Sequence, residues 1–387
     1  MTLTDDIKKQ ANKLGFELVG IASVEDSQHM DMYRAWIESG SHGDMGYLSR
    51  RDTLARRADL KKTLPSLKAA IVVGHDYYQE DPAGIPDNQH RAVVARYARG
   101  PDYHSVIKKR LIKLHKWIES QVEDPIACRA YVDTGPILER ELGVRAGLGW
   151  FGKNTMLINS KRGSYFFLGI LLLDLELDHD DPFDSEHCGT CRNCLDACPT
   201  GALLGRDQSG APVMDAQRCI SYLTIEHRGY IPVELRPFMG NRVYGCDICQ
   251  EVCPWNEKAA QIGTASAYQA NAKLDGPALI ELAEQLLKID EEGFRELYRG
   301  SPVKRAKRVG LLRNVCISLG NWGIGDALPV LGLALKDHEP LVRGHAAWAL
   351  GQIQSNRAKI LLLPRILFEK DPRVREEIFL ALIAFSD

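Results

Sequence analysis

Eight of the ten cysteines fall between residues 188 and 253, and their spacing dictates what this stretch can fold around. The first run is Cys188-x2-Cys191-x2-Cys194-x3-Cys198-Pro199. The second is Cys246-x2-Cys249-x3-Cys253-Pro254, with Cys219 between the two. A 4Fe–4S cube needs four thiolates. Tight C-x2-C-x2-C loops supply three, and in two-cluster ferredoxins the Cys before the Pro serves the other cube. That rule assigns Cys188, Cys191, Cys194 and Cys253 to one cluster and Cys198, Cys219, Cys246 and Cys249 to a second, with none left over. Structural zinc, which uses Cys pairs in separated knuckles, is the plainer alternative; disulfides call for a secreted chain, which nothing else here supports. Cys128 and Cys316 lie far off and read as ordinary buried thiols.

The 387 residues allow two or three domains. With 49 basic and 51 acidic residues the chain is not a polycation, so any nucleic-acid contact must come from a local patch. The amphipathic N-terminus lacks an apolar signal-peptide core, and the longest apolar stretch, Tyr165 to Asp174, is far short of a membrane span. A cytoplasmic protein with no membrane association is expected, in keeping with thiolates kept reduced for iron.

Periodicity predicts a helix over 7–14 capped by Thr4, strands over 17–23, 69–74 and 129–132, helices over 104–122 and 137–146, and paired strands over 155–158 and 164–175. Helices interleaved with short strands give an α/β or α+β layered domain over 1–175. The ferredoxin-like segment occupies 176–262. Beyond it, 263–387 is helical and repeats: Leu312 to Gly320 aligns with Val342 to Gly351 and then with Val374 to Leu382, each final Leu 31 or 32 residues after the last. That period, with Asp337 and Asp371-Pro372 in the turns, is HEAT-like; two unrelated amphipathic helices are the plainer alternative. The fold class is therefore α+β multidomain.

Two clusters make a relay, and the acceptor must lie elsewhere. The densest candidate is YVDTGPILERELGVRAGLGWFGKNTM, Tyr131 to Met156. By position alone Asp133 is a helix N-cap, and Glu139 and Arg140 are a solvated helix face. The loop from Gly147 to Asn154 is neither a Walker A nor a Rossmann fingerprint; its glycines would permit close backbone approach to a large flat ligand. His104 in RYARGPDYH reads as a helix-start residue satisfied by its neighbours. Between Arg299 and Arg313 six basic residues occur in fifteen with no acid, either a solvated face or a phosphate-binding stripe at the mouth of the solenoid.

Taken in order, RYARGPDYH, the Tyr131 to Met156 motif, the Cys188 to Pro199 run, RCISYLTIEHRG, YGCDICQEVCPWN and VKRAKRVGLLRNVCISLGN resemble the epoxyqueuosine reductases over nearly the whole chain. The resemblance implies reduction of epoxyqueuosine to queuosine at the tRNA wobble position. It implies an N-terminal cobalamin-binding domain similar to that of reductive dehalogenases, two 4Fe–4S clusters, and helical repeats that help hold the anticodon stem-loop. Asp102-x-His104 lacks the Gly of the base-off, His-on signature, as expected of a family that holds cobalamin base-off without a His ligand. By match to the family, Asp133 is the proton donor. Its carboxyl is expected to have a raised pKa against the corrin. Arg57, Tyr97, Lys153, Asn154, Thr155 and Met156 are corrin contacts as a group, and Ser221 and Tyr222 line the space between cluster and cobalt. Lys304, Arg305, Lys307, Arg308 and Arg313 are expected on tRNA phosphates. A low-potential donor such as flavodoxin or ferredoxin would supply electrons to a monomeric enzyme. Two rival readings share parts of this pattern. A reductive dehalogenase would usually carry a twin-arginine signal and no basic repeat tail. A cofactor-free electron carrier leaves Asp133 and the Gly147–Asn154 loop unexplained.

Overall fold

The computed structural model describes residues 2–81, 85, 88–257 and 266–385. The chain forms two compact units. The first is built from 1–80, 102–217 and 248–269, the second from 81–101, 218–247 and 270–387. The cysteine-rich segment is thus shared between them, and the expected boundary at 262/263 lies outside the described residues.

In the first unit the strands Leu18–Ala22, Ala69–Asp76, Phe166–Leu173 and Cys128–Tyr131 lie side by side in that order, every neighbouring pair antiparallel. The central strands are apolar at nearly every position because helices cover both faces. Ala70, Val72, Ile170 and Leu172 pack with Leu142 and Ala146 on one side. On the other, Gly169 lies beneath Ile107 and Leu111 of the helix Tyr103–Glu119. The layered α+β expectation holds in this form.

Local boundaries differ in two places. The first helix spans Leu3–Lys13. Its cap is Thr2, which forms a capping box with Asp5, while Thr4 is buried within the helix. The stretches at 155–158 and 164–175 do not pair with each other. Leu157–Ile158 pairs with Trp150–Phe151 in its own hairpin, and Phe166–Leu173 takes an inner place in the main sheet, where its apolar run is buried on both sides.

In the second unit the helices Lys307–Trp322, Pro340–Ile353 and Pro372–Ile383 carry the three repeated segments and stack as an inner row. Small residues set their spacing: Gly320 meets Ala349, and Gly351 meets Ala381. Asp371 caps the third of these helices by accepting from the N–H groups of Arg373 and Val374. Buried bidentate pairs lock the stack. Arg236 donates to both oxygens of Glu377 at 2.8 and 2.6 Å, and Arg308 to those of Asp337 at 3.4 and 2.5 Å. Among the described residues no helix is long and apolar enough to cross a membrane.

Candidate functional site

In the first unit, Cys194 stands among Cys188, Cys253 and Cys191. Burial and the charges of these three neighbours push its thiol up to about 11. Cys253 is raised for the same reasons, while N–H groups of Trp255 and Asn256 turn toward it. Two raised thiols facing two more at close range make a cage suited to cationic iron, which holds the thiolate form, and N–H groups aimed at a thiolate tune a cluster's potential. The grouping of Cys188, Cys191, Cys194 and Cys253, with N–H groups turned toward Cys253, fits a 4Fe–4S cluster. Trp150 walls the region, edge-on to Trp255 and His187 at 5.0 and 4.9 Å between ring centres.

Of the second thiol set, the Sγ of Cys198 accepts from the Ala202 N–H at 3.3 Å, and the Cys249 carbonyl accepts from Asn154 Nδ2 at 3.3 Å. Cys219 and Cys246 belong to the second unit. Cys219 precedes the helix Ile220–Ile225. Gly245, before Cys246, sits at φ 72, where a Cβ would come within 2.6 Å of Ala95 Cβ, so no side chain is tolerated there.

Asp133 is not a helix cap. It occupies the left-handed region at φ 60, a conformation a non-glycine residue keeps only when its surroundings impose it. Its N–H donates to Glu139 at 2.7 Å, and its carboxylate lies 3.4 Å from His104 Nε2. The other ring nitrogen of His104 is 2.7 Å from Asp102, the cap of the helix Tyr103–Glu119. Burial disfavours the His104 cation, but Asp102 and Asp133 prevail and raise it to about 9. The elevation expected for Asp133 is not found. Burial raises its carboxyl, yet the bond and charge of His104, with Tyr103 and Arg140, bring it below its ordinary value. The side chain is 64% exposed although protein crowds its remaining sides. The group held protonated is instead Glu139, pushed up to about 8 by burial and by the charge of Asp133. The sequence reading missed it as a surface residue; its place six residues after Asp133, on the first turn of the helix Glu139–Arg145, was the available signal.

Arg57 joins this group. Burial lowers it, and Glu139 and Arg140 are the charges acting on it. It lies over the Tyr33 ring at 4.9 Å, and its buried Nε has no partner within the described chain. Arg140 donates to the Thr155 carbonyl, which connects the Asp133 turn to the Gly147–Met156 loop. Thr155 is at φ 66 and its hydroxyl faces the Met214 sulfur at 3.7 Å. The loop glycines serve the hairpin itself: a Cβ on Gly149 would lie 2.0 Å from the Ile158 carbonyl oxygen. Asn154 is buried and holds the Met156 N–H at 3.2 Å. Lys153 donates to the carbonyls of Gly189 and Cys191 at 2.6 and 2.9 Å, so it braces the cluster loop. Tyr97, Ser221 and Tyr222 lie in the second unit; Tyr222 is buried there, and the Tyr97 ring lies 6.3 Å from that of Tyr244.

The basic run divides. Lys304, Arg305 and Lys307 are exposed, Arg305 pairing with Glu226 at 2.7 Å. Arg308 and Arg313 are not available to phosphate, contrary to the sequence reading: they are 2% and 1% exposed and fully engaged inside the unit. Arg308 holds Asp337, and Arg313 holds backbone carbonyls of Leu223, His227 and Gly229. A charge run does not reveal which of its members the next helices will cover.

A thiol cage and a charged proton-holding cluster in one unit, in a chain ending in stacked helical repeats, define an iron–sulfur oxidoreductase. Three family models match in agreement: "Epoxyqueuosine reductase QueG, DUF1730" over 57–134, a "4Fe-4S double cluster binding domain" over 187–256, and "HEAT repeats" over 308–383. The epoxyqueuosine reductase of Pseudomonas aeruginosa is 44% identical, covering 90% of this chain and 94% of that one. That of Escherichia coli is 39% identical over 90% and 89%. A crystal structure of epoxyqueuosine reductase with an epoxyqueuosine-modified tRNA-Tyr stem loop superposes with TM-score 0.87 at 28% identity, covering 100% and 99% of the two chains. The chain belongs to the epoxyqueuosine reductase family.

Proposed function

We propose that this chain reduces epoxyqueuosine at the wobble position of tRNA to queuosine. The observation that carries the reading is the Asp133 turn: an acid at φ 60 whose carboxylate lies 3.4 Å from His104 and whose N–H donates to Glu139, in the same unit as the thiol cage Cys188, Cys191, Cys194 and Cys253. Deoxygenating an epoxide to an alkene takes two electrons and two protons, and the oxygen leaves as water. Cys188, Cys191, Cys194 and Cys253 would hold one cluster and Cys198, Cys219, Cys246 and Cys249 the other, and the pair would supply single electrons at low potential. Cobalamin, when bound, would supply the redox-active cobalt centre for this deoxygenation. The unpartnered Arg57 Nε and the Thr155–Met156 turn would offer that cofactor polar contacts; Lys153, Asn154, Tyr97, Ser221 and Tyr222 are the further residues proposed to hold it. His104 and Glu139, both raised, are the proton sources, and Asp133, ionised at rest, relays the proton to the departing oxygen.

Lys304 and Lys307, with Arg305 exchanging Glu226 for a phosphate, position the anticodon stem-loop. Recognition comes from the splayed modified base entering the site. A soluble low-potential donor such as flavodoxin or ferredoxin feeds the clusters, and the enzyme acts as a cytoplasmic monomer. The test is anaerobic turnover: protein reconstituted with iron, sulfide and cobalamin, a low-potential reductant, and an epoxyqueuosine stem-loop, followed by nucleoside mass spectrometry. Cobalamin-dependent loss of one oxygen supports the reading. A loaded enzyme that leaves the epoxide intact refutes it.

A further inference from the structure

The helix Lys307–Trp322 opens the repeat array, yet two consecutive side chains on it point away from any RNA-facing role. Arg313 is 1% exposed and Asn314 0%. Arg313 donates to the Leu223 carbonyl at 2.6 Å, to those of His227 and Gly229 at 2.9 Å each, and to Asn314 Oδ1 at 3.0 and 2.9 Å. Asn314 in turn donates to the carbonyls of Thr224 and Val243 at 2.9 and 2.8 Å. Thr224 Oγ1 donates to the Ile220 carbonyl at 2.8 Å and accepts from the Gly245 N–H at 2.9 Å. One chain of bonds therefore runs from the guanidinium to the residue after Cys219 and to the residue before Cys246.

The charge on this brace is unusual. Among the described residues no carboxylate pairs with Arg313. Its nearest charged neighbours include Arg228 and Arg236, and burial with these cations brings it down to about 9. Burying a cation without an anion is costly, and backbone carbonyls alone repay it poorly. A neighbouring charge that turns more negative on reduction would repay it better.

We propose that Arg313, through Asn314 and Thr224, is a positioning residue for the Cys219 and Cys246 thiolates, and that its unpaired charge raises the potential of the cluster they ligate. A cation in a low-dielectric surrounding stabilises the reduced, more anionic cluster, so the helix that begins the repeats also sets an electron-transfer level. The inference rests on the two-cluster reading above.

The test is an EPR-monitored redox titration of the reconstituted full-length protein, with iron analysis. The wild-type control must show both clusters; its failure would count against the cluster assignment, not against the role of Arg313. In Arg313→Met one midpoint potential moves downward and the other is unmoved, or half of the iron is lost while the first cluster stays. Arg313→Lys, which keeps the charge, returns the potential toward wild type. Thr224→Val removes the acceptor for the Gly245 N–H with little change of volume and alters the spectrum of the same single cluster. Should Arg313→Met unfold the chain, Thr224→Val decides. Full iron, both potentials and both spectra as in wild type, in whichever of the two variants folds, overturns the proposal.

Discussion

Replacing Asp133 by Asn isolates its chemistry from its structural duties. Asn adopts the left-handed conformation as readily as Asp, and the bond to Glu139 is made by the backbone N–H, so the turn is retained. What disappears is a titratable oxygen 3.4 Å from His104. Losing a positioned general acid costs ~10²–10⁴-fold in turnover, equivalent to roughly 3–5 kcal/mol of barrier. The stability change should be far smaller. His104 is raised from 6.5 to about 9, a shift worth about 3 kcal/mol if fully shielded. With its side chain 32% exposed, screening leaves ~1–2 kcal/mol. A raised histidine stabilises the fold fully below pH 6.5 and loses that contribution as pH climbs through 9. Asp102, closer at 2.7 Å, retains most of it in the variant, so the loss is below ~1 kcal/mol and Tm falls by about 1–3 °C near neutral pH. The assays are single-turnover nucleoside mass spectrometry and thermal denaturation at pH 6, 8 and 10. Turnover within about threefold of wild type, with both cofactors bound, would refute a proton-donor role. A collapse of Tm would show that Asp133 serves the fold instead.

Glu139→Gln keeps an acceptor for the Asp133 N–H but holds no proton, so the fall in turnover as pH rises through about 8 should flatten, with a lower plateau; an unchanged pH profile removes Glu139 from the proton path. Glu377→Ala leaves Arg236, 0% exposed, as an uncompensated buried cation and should cost ~3–5 kcal/mol, read as a lower Tm. Paired substitution of Lys304 and Lys307 by Ala should weaken stem-loop binding and reduce its salt dependence by up to two charges' worth of slope, while Arg308→Ala should chiefly lower Tm; filter-binding at several salt concentrations separates them.

How much of this was legible depended on whether the controlling interactions were local. The cysteines lie in short loops whose spacing is itself the geometry, so the grouping of Cys188, Cys191, Cys194 and Cys253 was readable from sequence. The repeats announced themselves through Leu319, Leu350 and Leu382, since equal spacing reflects equal stacking. Asp133 was found only through a motif, and its titration was misjudged because His104 reaches it from 29 residues away. Arg308 and Arg313 looked like their exposed neighbours; only Asp337 and the carbonyls after Cys219, distant in sequence, bury them. The hairpin Trp150–Phe151 with Leu157–Ile158 was missed because two-residue strands carry no alternation to read.

The interleaving of the two units also bears on biogenesis. The chain passes from one to the other five times, at 80/81, 101/102, 217/218, 247/248 and 269/270. During synthesis the first unit has its sheet strands by residue 173 but has to wait for 248–269, and with it Cys253, before its thiol cage is whole; the second has to wait for the last repeats. Neither can be released by a single proteolytic cut or expressed as a simple fragment. Iron delivery therefore falls late, after most of the polypeptide has left the ribosome. A truncation before Lys307 leaves the segments around Cys219 and Cys246 without the helix that covers them, and such products are expected to be degraded rapidly rather than to keep partial activity.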